Sequence, residues 1–324
     1  MVEYGVAGAV IANRLLHLVF VWLGISIIAF SLANLAPGDP AQMALMRRTG
    51  EVPTEAAVLQ LRREMGLDRP FPERYGRWLA QALRGDLGRS FRTGEPVARA
   101  LSDRFGATLQ LAIAATLIGL AVAVPIGALS ALYRGSPLDH ASRFVALAGA
   151  SIPGFWLAYL LILLFAVALG FLPVAGRGGW QHIILPALTL GLGDAATLMR
   201  LTRSALLEEL GEDYVRTASA KGLPRRMVVV RHALRNALNP IVTLSGLRFG
   251  RMLGQAAIVE TVFAWPGIGK HVVDSIYDRD YPMIQGFVLY MGTVFVLLNL
   301  LIDFSYGWLD PRVRFSVRWS ESRG

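Results

Sequence analysis

The sequence predicts an all-α, polytopic membrane protein with six transmembrane helices and a short external helical cap between the first two. Three observations predict it. A mean hydropathy of +0.47 over 324 residues is too apolar for a soluble domain, which would have to expose much of that surface to water. Apolar runs near the roughly 20 residues needed to cross the hydrocarbon core as helix recur along the chain. Lys and Arg concentrate in some connecting segments and avoid others.

The first run, Leu15 to Ala36, exceeds a signal-peptide core and reads as a retained span. The second covers Ala107 to Leu132. The third, Phe144 to Gly170, is interrupted by Ile152-Pro153-Gly154, where proline implies a kink. The fourth, Ile183 to Leu201, is shorter and contains Pro186 and Asp194. The fifth runs from Pro240 to Phe263 and the sixth from Met283 to Leu301.

With a cytoplasmic N-terminus, the short inner loops hold ten basic residues: Arg134, Arg143 and eight from Arg200 to Arg235. The short outer loops hold Arg177, Lys270 and Arg279. That asymmetry predicts both termini inside, as does the basic tail from Asp310 to Gly324. The segment 37–106 holds twelve basic residues on the outside, but it exceeds the loop length over which the rule operates and carries nine acidic residues as well. The chain therefore divides into 1–36, the N-terminus and first span; 37–106, an external helical segment; and 107–324, a core with the remaining five spans.

Segment 37–106 is too long for a bare loop. In PTEAAVLQLRREMG, Pro53 lies near a helix start, Thr54 is a candidate cap and Glu55 sits in the first turn. Val58, Leu61 and Met65 share one face, and Gly66 stops the helix. The cap lies on the outer membrane face, either as a contact surface or as an elaboration without one.

A net charge of +9 would suggest nucleic acid in a soluble chain; between apolar runs it serves orientation instead. There is no cysteine, which excludes disulfides, thiol catalysis and Cys-ligated metals. The five histidines, His17, His140, His182, His232 and His271, are dispersed. No catalytic set assembles from them, and no metal site is predicted.

One stretch stands apart. Glu212 to Pro240 carries six Lys or Arg residues between apolar runs. Asp213 can cap a helix whose Val215, Ala218 and Ala220 form a small apolar side, and Gly222 supplies a left-handed stop. Pro224 then suits the first turn of a second helix carrying Val228, Val229, Leu234 and Leu238. Small residues at Ala218, Ser219 and Ala220 suit close approach to another protein. A basic loop lying on anionic lipid headgroups is the competing reading.

The residues of this stretch carry a resemblance. EDYVRTASAKG followed by HALRNALNP resembles the cytoplasmic coupling loop of ABC-importer permeases, in the dipeptide, oligopeptide and nickel branch. PGDP (37–40), GLDRP (66–70), GDLGRSF (85–91), FAWPGIG (263–269), RDYP (279–282) and DPRVR (310–314) resemble the same branch in the same order. Arg216 and Thr217 stand where the general permease loop has Glu and Ala, whereas Ala218 and Gly222 are kept. The resemblance implies a type I importer permease fold and a bacterial inner-membrane location. It makes 202–239 the coupling loop, with Asp213, Arg216, Thr217, Ala218, Ala220, Lys221 and Gly222 as the residues that engage the ATPase through 212–240.

The implied partners are a second homologous permease, two cytoplasmic ATPase subunits, an external substrate-binding protein and membrane lipid, with no nucleic acid. The chain has no phosphate-binding loop of its own: GIGKH (267–271) fails because Ala264 stands where the first glycine belongs and His271 follows Lys270. ATP and Mg are therefore expected on the partners, and the chain itself is expected to be neither an enzyme nor a cofactor binder. Dipeptides or oligopeptides are the expected cargo, with nickel or a nickel chelate as the alternative. A stand-alone channel or an intramembrane enzyme would be a different class.

Charges inside spans need a partner or water. Asp194, Arg248, Arg251, Glu260 and Asp303 are the candidates, lining a translocation path, pairing between helices or subunits, or snorkelling to the membrane interface. Gly246, Gly250 and Gly254 recur every four residues and predict close helix packing at a helix or subunit interface.

Overall fold

The computed structural model describes residues 16, 18–31 and 39–309. The ends of the first run, the residues 37 and 38 of the first motif, the Asp303 side chain and the tail from 310 lie outside the described residues. The described residues are helical with connecting turns; the one extended pairing among them is an isolated antiparallel bridge between Arg89 and Pro96.

The helices are α1 (Leu18–Ser31), α2 (Pro40–Thr49), α3 (Glu55–Glu64), α4 (Phe71–Ala82), α5 (Val97–Leu132), α6 (Pro137–Ser151) and α7 (Gly154–Leu161). A π-helical stretch, Ile162–Ala168, extends α7. There follow α8 (Gln181–Glu209), α9 (Asp213–Ala220), α10 (Arg225–Met227), a second π stretch (Val228–Ala233), α11 (Leu234–Val262), α12 (Ile268–Tyr277) and α13 (Tyr281–Leu309).

Among the described residues, three helices are long and apolar enough to cross a membrane: Val97–Leu132, Gln181–Glu209 and Tyr281–Ile302. Pro137–Ser151 and Gly154–Ala168 qualify together, bent by 107° at the Ile152-Pro153 break. Pro153 cannot donate a backbone hydrogen bond, and it disfavours helical geometry at Ile152, which is extended (φ −79°, ψ 124°). The remaining two expected spans are α1, apolar but described only from 18 to 31, and α11. At 29 residues α11 is long enough, yet it is not among the apolar ones, because it carries Arg248, Arg251 and Glu260. Pro240 lies inside α11 and does not begin the span.

The described residues fall into two compact units, those within 1–105 and 271–300 and those within 106–270 and 301–324. In the first, the Trp22 indole donates to the Thr293 hydroxyl (2.9 Å). Phe30 packs against Phe71, Tyr75 and Trp78 at 5.2–5.6 Å between ring centres, which seats α4 on α1. Asp39 caps α2 by accepting from the Ala41 amide (2.9 Å). Thr54 occupies the expected cap position of α3, but its hydroxyl makes no capping bond.

In the second unit α8 is the central element, packed by α11, α6 and α7. It approaches α5 closely at glycines. A Cβ on Gly119 would come within 3.0 Å of the Gly191 carbonyl oxygen, and one on Gly127 within 2.6 Å of that of Met199. Gly127 has no room for alanine and Gly119 only a tight fit, so the two backbones pack closely.

Candidate functional site

The segment 212–240 folds as a short helix, a tight turn and a helical return. Asp213 lies in the first turn of α9, and Glu212 takes the cap position without a side-chain bond. The Asp213 carboxylate pairs instead with Arg216 (3.4 Å). Val215 and Ala218 are buried and belong to the apolar core built by α8 and α11. That is the physical reason this side of α9 is small and apolar. Arg216, Thr217, Ser219, Ala220 and Lys221 are exposed.

The helix closes as the sequence predicts. Gly222 is left-handed (φ +78°), its amide donates to the Ser219 carbonyl (3.0 Å), and the Leu223 amide donates to that of Ala218 (3.4 Å). This paired pattern satisfies carbonyls a helix end leaves open. Pro224 then caps α10, and the buried Val228 and Val229 lead the chain back toward α11.

Tyr214 ties this hairpin down at a second point. Its hydroxyl donates to the Glu209 carboxylate at the end of α8 and accepts from the Asn236 amide (3.1 Å) in α11. Burial, with the Glu209 bond adding, pushes its phenol pKa upward.

The polar groups along α8 and α11 resolve into two arrangements. Arg248 pairs with Asp194, both mostly shielded, so this charge pair bridges α11 and α8. Arg251, one turn on, is exposed. Glu260 is fully buried. Its carboxylate accepts from the Thr108 hydroxyl (2.5 Å) and the Lys270 amide (2.9 Å), while the Thr108 oxygen accepts from the Ile268 amide (2.9 Å). The open amides at the start of α12 thus receive an anion, where the helix dipole favours one.

A Cβ on Gly246 would meet the Ile302 side chain of α13 at 3.8 Å, an ordinary contact, whereas Gly254 is exposed with open space where a Cβ would stand. His140, His182, His232 and His271 stay dispersed, and among the described residues no three His, Asp or Glu side chains gather as a metal site requires.

Comparison with known proteins places this geometry. The model of the binding-protein-dependent transport system inner membrane component matches residues 123–315. A companion model for the N-terminal part of such membrane components matches 9–112. The chain belongs to this permease family. It is 42% identical over 304 residues to the glutathione transport system permease protein GsiC of Pectobacterium atrosepticum, covering 94% of this chain and 98% of that protein. It is 39% identical over 335 residues to the dipeptide transport system permease protein DppB of Escherichia coli K12, with the same coverage. Identity to the probable D,D-dipeptide permease DdpB of that organism is 40% over 334 residues, covering 94% and 97%. A solved chain of the MetNI methionine ABC transporter shares the fold, with a TM-score of 0.55 at 22% identity over 67% of this chain and 99% of that one. The protein is therefore a permease subunit of an ABC importer with the type I fold. Its family works with ATPase subunits and a substrate-binding protein, and hydrolysis is not its own task.

Within this permease the ordered motifs acquire physical roles. RDYP and GDLGRSF meet: Asp280 is buried and accepts from the Ser90 hydroxyl and the Phe91 amide (3.0 Å), and Arg92 pairs with Asp278 (2.5 Å). FAWPGIG is the approach to α12. Ala264 takes a left-handed φ of +48°, and the Trp265 indole donates to the Ala107 carbonyl (2.9 Å). Gly267 stands where any Cβ would collide with the Glu260 carboxylate.

Sequence reading missed Asp139 and Arg203. Asp139 is buried; Arg203 grips it with two bonds of 2.8 and 2.9 Å, and Ser130 and the Gly135 amide complete its shell. The available signal was an acidic residue after SP at a helix start, with arginine counted only as a topology charge. The glycine seam was missed as well. Its signal was Ala115, Gly119, Ala123, Gly127 and Ala131, small residues at every fourth position.

Proposed function

We propose that this permease forms, with a second homologous permease, the inner-membrane pathway of a peptide importer, and that α9 with its Gly222 turn couples the pathway to cytoplasmic ATPases. The observation that carries the coupling role is the split of α9 into two faces. Val215 and Ala218 seat it on the α8–α11 core, while Arg216, Thr217, Ala220 and Lys221 are left outward at a sharply closed helix end. A push on the outer face would pass through Val215, Ala218 and Tyr214 directly into two long helices. Ala218 then acts by seating the element, and the outward residues make the contact.

Peptide cargo is supported by relatives named for glutathione, dipeptide and D,D-dipeptide transport, which favours it over nickel. Selection belongs to the binding protein. Both termini are assigned to the cytoplasm on the distribution of basic residues.

The chain co-expressed with its second permease and ATPases should give a complex whose hydrolysis rises with peptide-loaded binding protein. Gly222→Asp tests the coupling. A Cβ there meets nothing within 4 Å, and Asp tolerates left-handed backbone, so insertion and folding should survive while stimulated hydrolysis and uptake fall sharply. Lys221→Ala with Arg225→Ala should leave ATPase association intact if charge alone anchors the hairpin to lipid. Normal uptake by Gly222→Asp at normal expression would overturn the coupling role.

Orientation is read by single cysteines in this cysteine-free chain. Leu83 and Tyr277, 69% and 83% exposed, should label from outside and Ser219 should not. Ser275, on the same short helix as Tyr277, is buried and unsuitable as a reporter.

A further inference from the structure

The turn from α5 into α6 and the facing side of α8 enclose a cavity of about 500 Å³ lined by Arg134, Asp139, His140, Arg143, Arg200 and Arg203. Its one carboxylate does not oppose an anion. Both Asp139 oxygens are already filled, one by Ser130 (2.6 Å) and Arg203 (2.8 Å), the other by Gly135 (2.9 Å) and Arg203 (2.9 Å). Arg134, Arg143 and Arg200 are exposed, and no carboxylate among the described residues pairs with them. The cavity therefore has a net positive field without a protein counter-charge.

A second cavity, of about 490 Å³, lies further along the same three helices. It is lined almost wholly by apolar side chains, among them Ile126, Leu129, Leu138, Val145, Ala196 and Met199. The two adjoin through neighbouring residues: Leu138 precedes Asp139, Ser142 precedes Arg143, and Met199 precedes Arg200. Moving away from the arginines means moving into α5, α6 and α8 where they are apolar, the direction in which acyl chains run from a headgroup.

We propose that α5, α6 and α8 form a binding site for one anionic glycerophospholipid, its phosphate held by Arg134, Arg143 and Arg200 and an acyl chain lying in the apolar groove. A free phosphate ion would use only the first cavity, and an acidic peptide would gain nothing from the second. Basic pockets beside membrane helices take anionic headgroups by this combination of charge and apolar contact. Arg203, locked onto Asp139, fixes α8 against the α5–α6 turn and so holds the two walls at a set distance. The site rests on the membrane reading but is independent of cargo and of the coupling role.

The test is lipid binding to the full-length chain, purified in neutral detergent and read by native mass spectrometry with dioleoylphosphatidylglycerol or dioleoylphosphatidylcholine. Phosphatidylglycerol should be retained in preference. Each of Arg134→Ala, Arg143→Ala and Arg200→Ala should weaken it roughly fivefold, without altering phosphatidylcholine. Val145→Trp, at an exposed groove position, should also lower retention while leaving the melting temperature unchanged. Equal retention of the two lipids would overturn the site. Displacement by millimolar inorganic phosphate, with Val145→Trp silent, would make it a phosphate site and overturn the lipid assignment. Loss of bound phosphatidylglycerol on adding the second permease would show that a protein covers the groove, and would overturn it too.

Discussion

Two helix ends in the same unit of this permease meet their surroundings in opposite ways. At the start of α12, the buried Glu260 carboxylate and Thr108 hydroxyl have found their partners inside the chain. Glu260 accepts from Thr108 and Lys270, and Thr108 in turn accepts from Ile268, all beneath the buried Phe263, Trp265 and Ile268. At α9 only Val215 and Ala218 are buried, and most of the polar side chains point outward. A charge satisfied within its own fold is architecture. A row of side chains held in fixed geometry on a closed helix, with its outer face left open, is the surface to which the coupling role is proposed. The described intramembrane candidates separate on the same basis: Glu260 and the Asp194–Arg248 pair hold helices together, whereas Arg251 is exposed.

The largest effect should come from breaking the first helix end. Gly267→Ala places a methyl where the Glu260 carboxylate lies, and displacing that carboxylate strands buried donors at roughly 1–3 kcal/mol each. Membrane expression should collapse, or the purified chain should melt far below wild type. Glu260→Gln keeps an acceptor oxygen but sets an amide NH2 against backbone donors, and should fall between the two. If Gly267→Ala melts like wild type, the anchoring role assigned to Glu260 is wrong.

A smaller effect sharpens the other side. Tyr214→Phe removes the hydroxyl that links Glu209 and Asn236; at a partly exposed site this is worth about 1 kcal/mol or less. The chain should assemble normally, but amide exchange across 213–222 should quicken, and stimulation of hydrolysis by loaded binding protein should weaken while basal hydrolysis holds. Unchanged exchange would mean that Val215 and Ala218 alone seat the helix.

The contrast also explains what the sequence could convey. Helix α9 was legible in most details because its determinants are local: a glycine that must turn left-handed, a proline that follows, and a short apolar repeat. Its cap is shifted by one residue: Asp213 is the better capping side chain, but an acidic residue is equally at home in the first turn, which is where it sits. The 107° break was legible as Pro153, though its size was not. By contrast, Glu260 looked like a candidate pathway charge because its partners lie 152 residues earlier at Thr108 and ten later at Lys270. Neither distance leaves a periodic trace. Asp139 with Arg203, 64 residues apart, was hidden for the same reason, and the arginine was absorbed into a topology count that treats every positive charge alike.

The smallest effect concerns His271, next to Lys270 in the first turn of α12. His271 is partly buried, with its Nε2 shielded and without a hydrogen-bond partner, and burial pushes its imidazole pKa down, with the nearby Arg104 charge adding to the shift and Asp274, Asp280 and Glu95 opposing it. A folded pKa below the unfolded value near 6.5 means that, as pH falls through about 6.5, the unfolded chain takes up a proton that the folded chain refuses. Folded stability is therefore complete above that pH and declines below it, by at most about 1.4 kcal/mol per pH unit, until the folded pKa is passed. Melting temperature of the purified protein should be flat from pH 7.5 to 8.5 and fall from pH 7 to 5.5. His271→Leu keeps a side chain of similar bulk without a titrating group and should flatten the lower part of that profile. If wild type and His271→Leu lose stability in parallel below pH 7, the acid sensitivity belongs to another group and α12 contributes none of it.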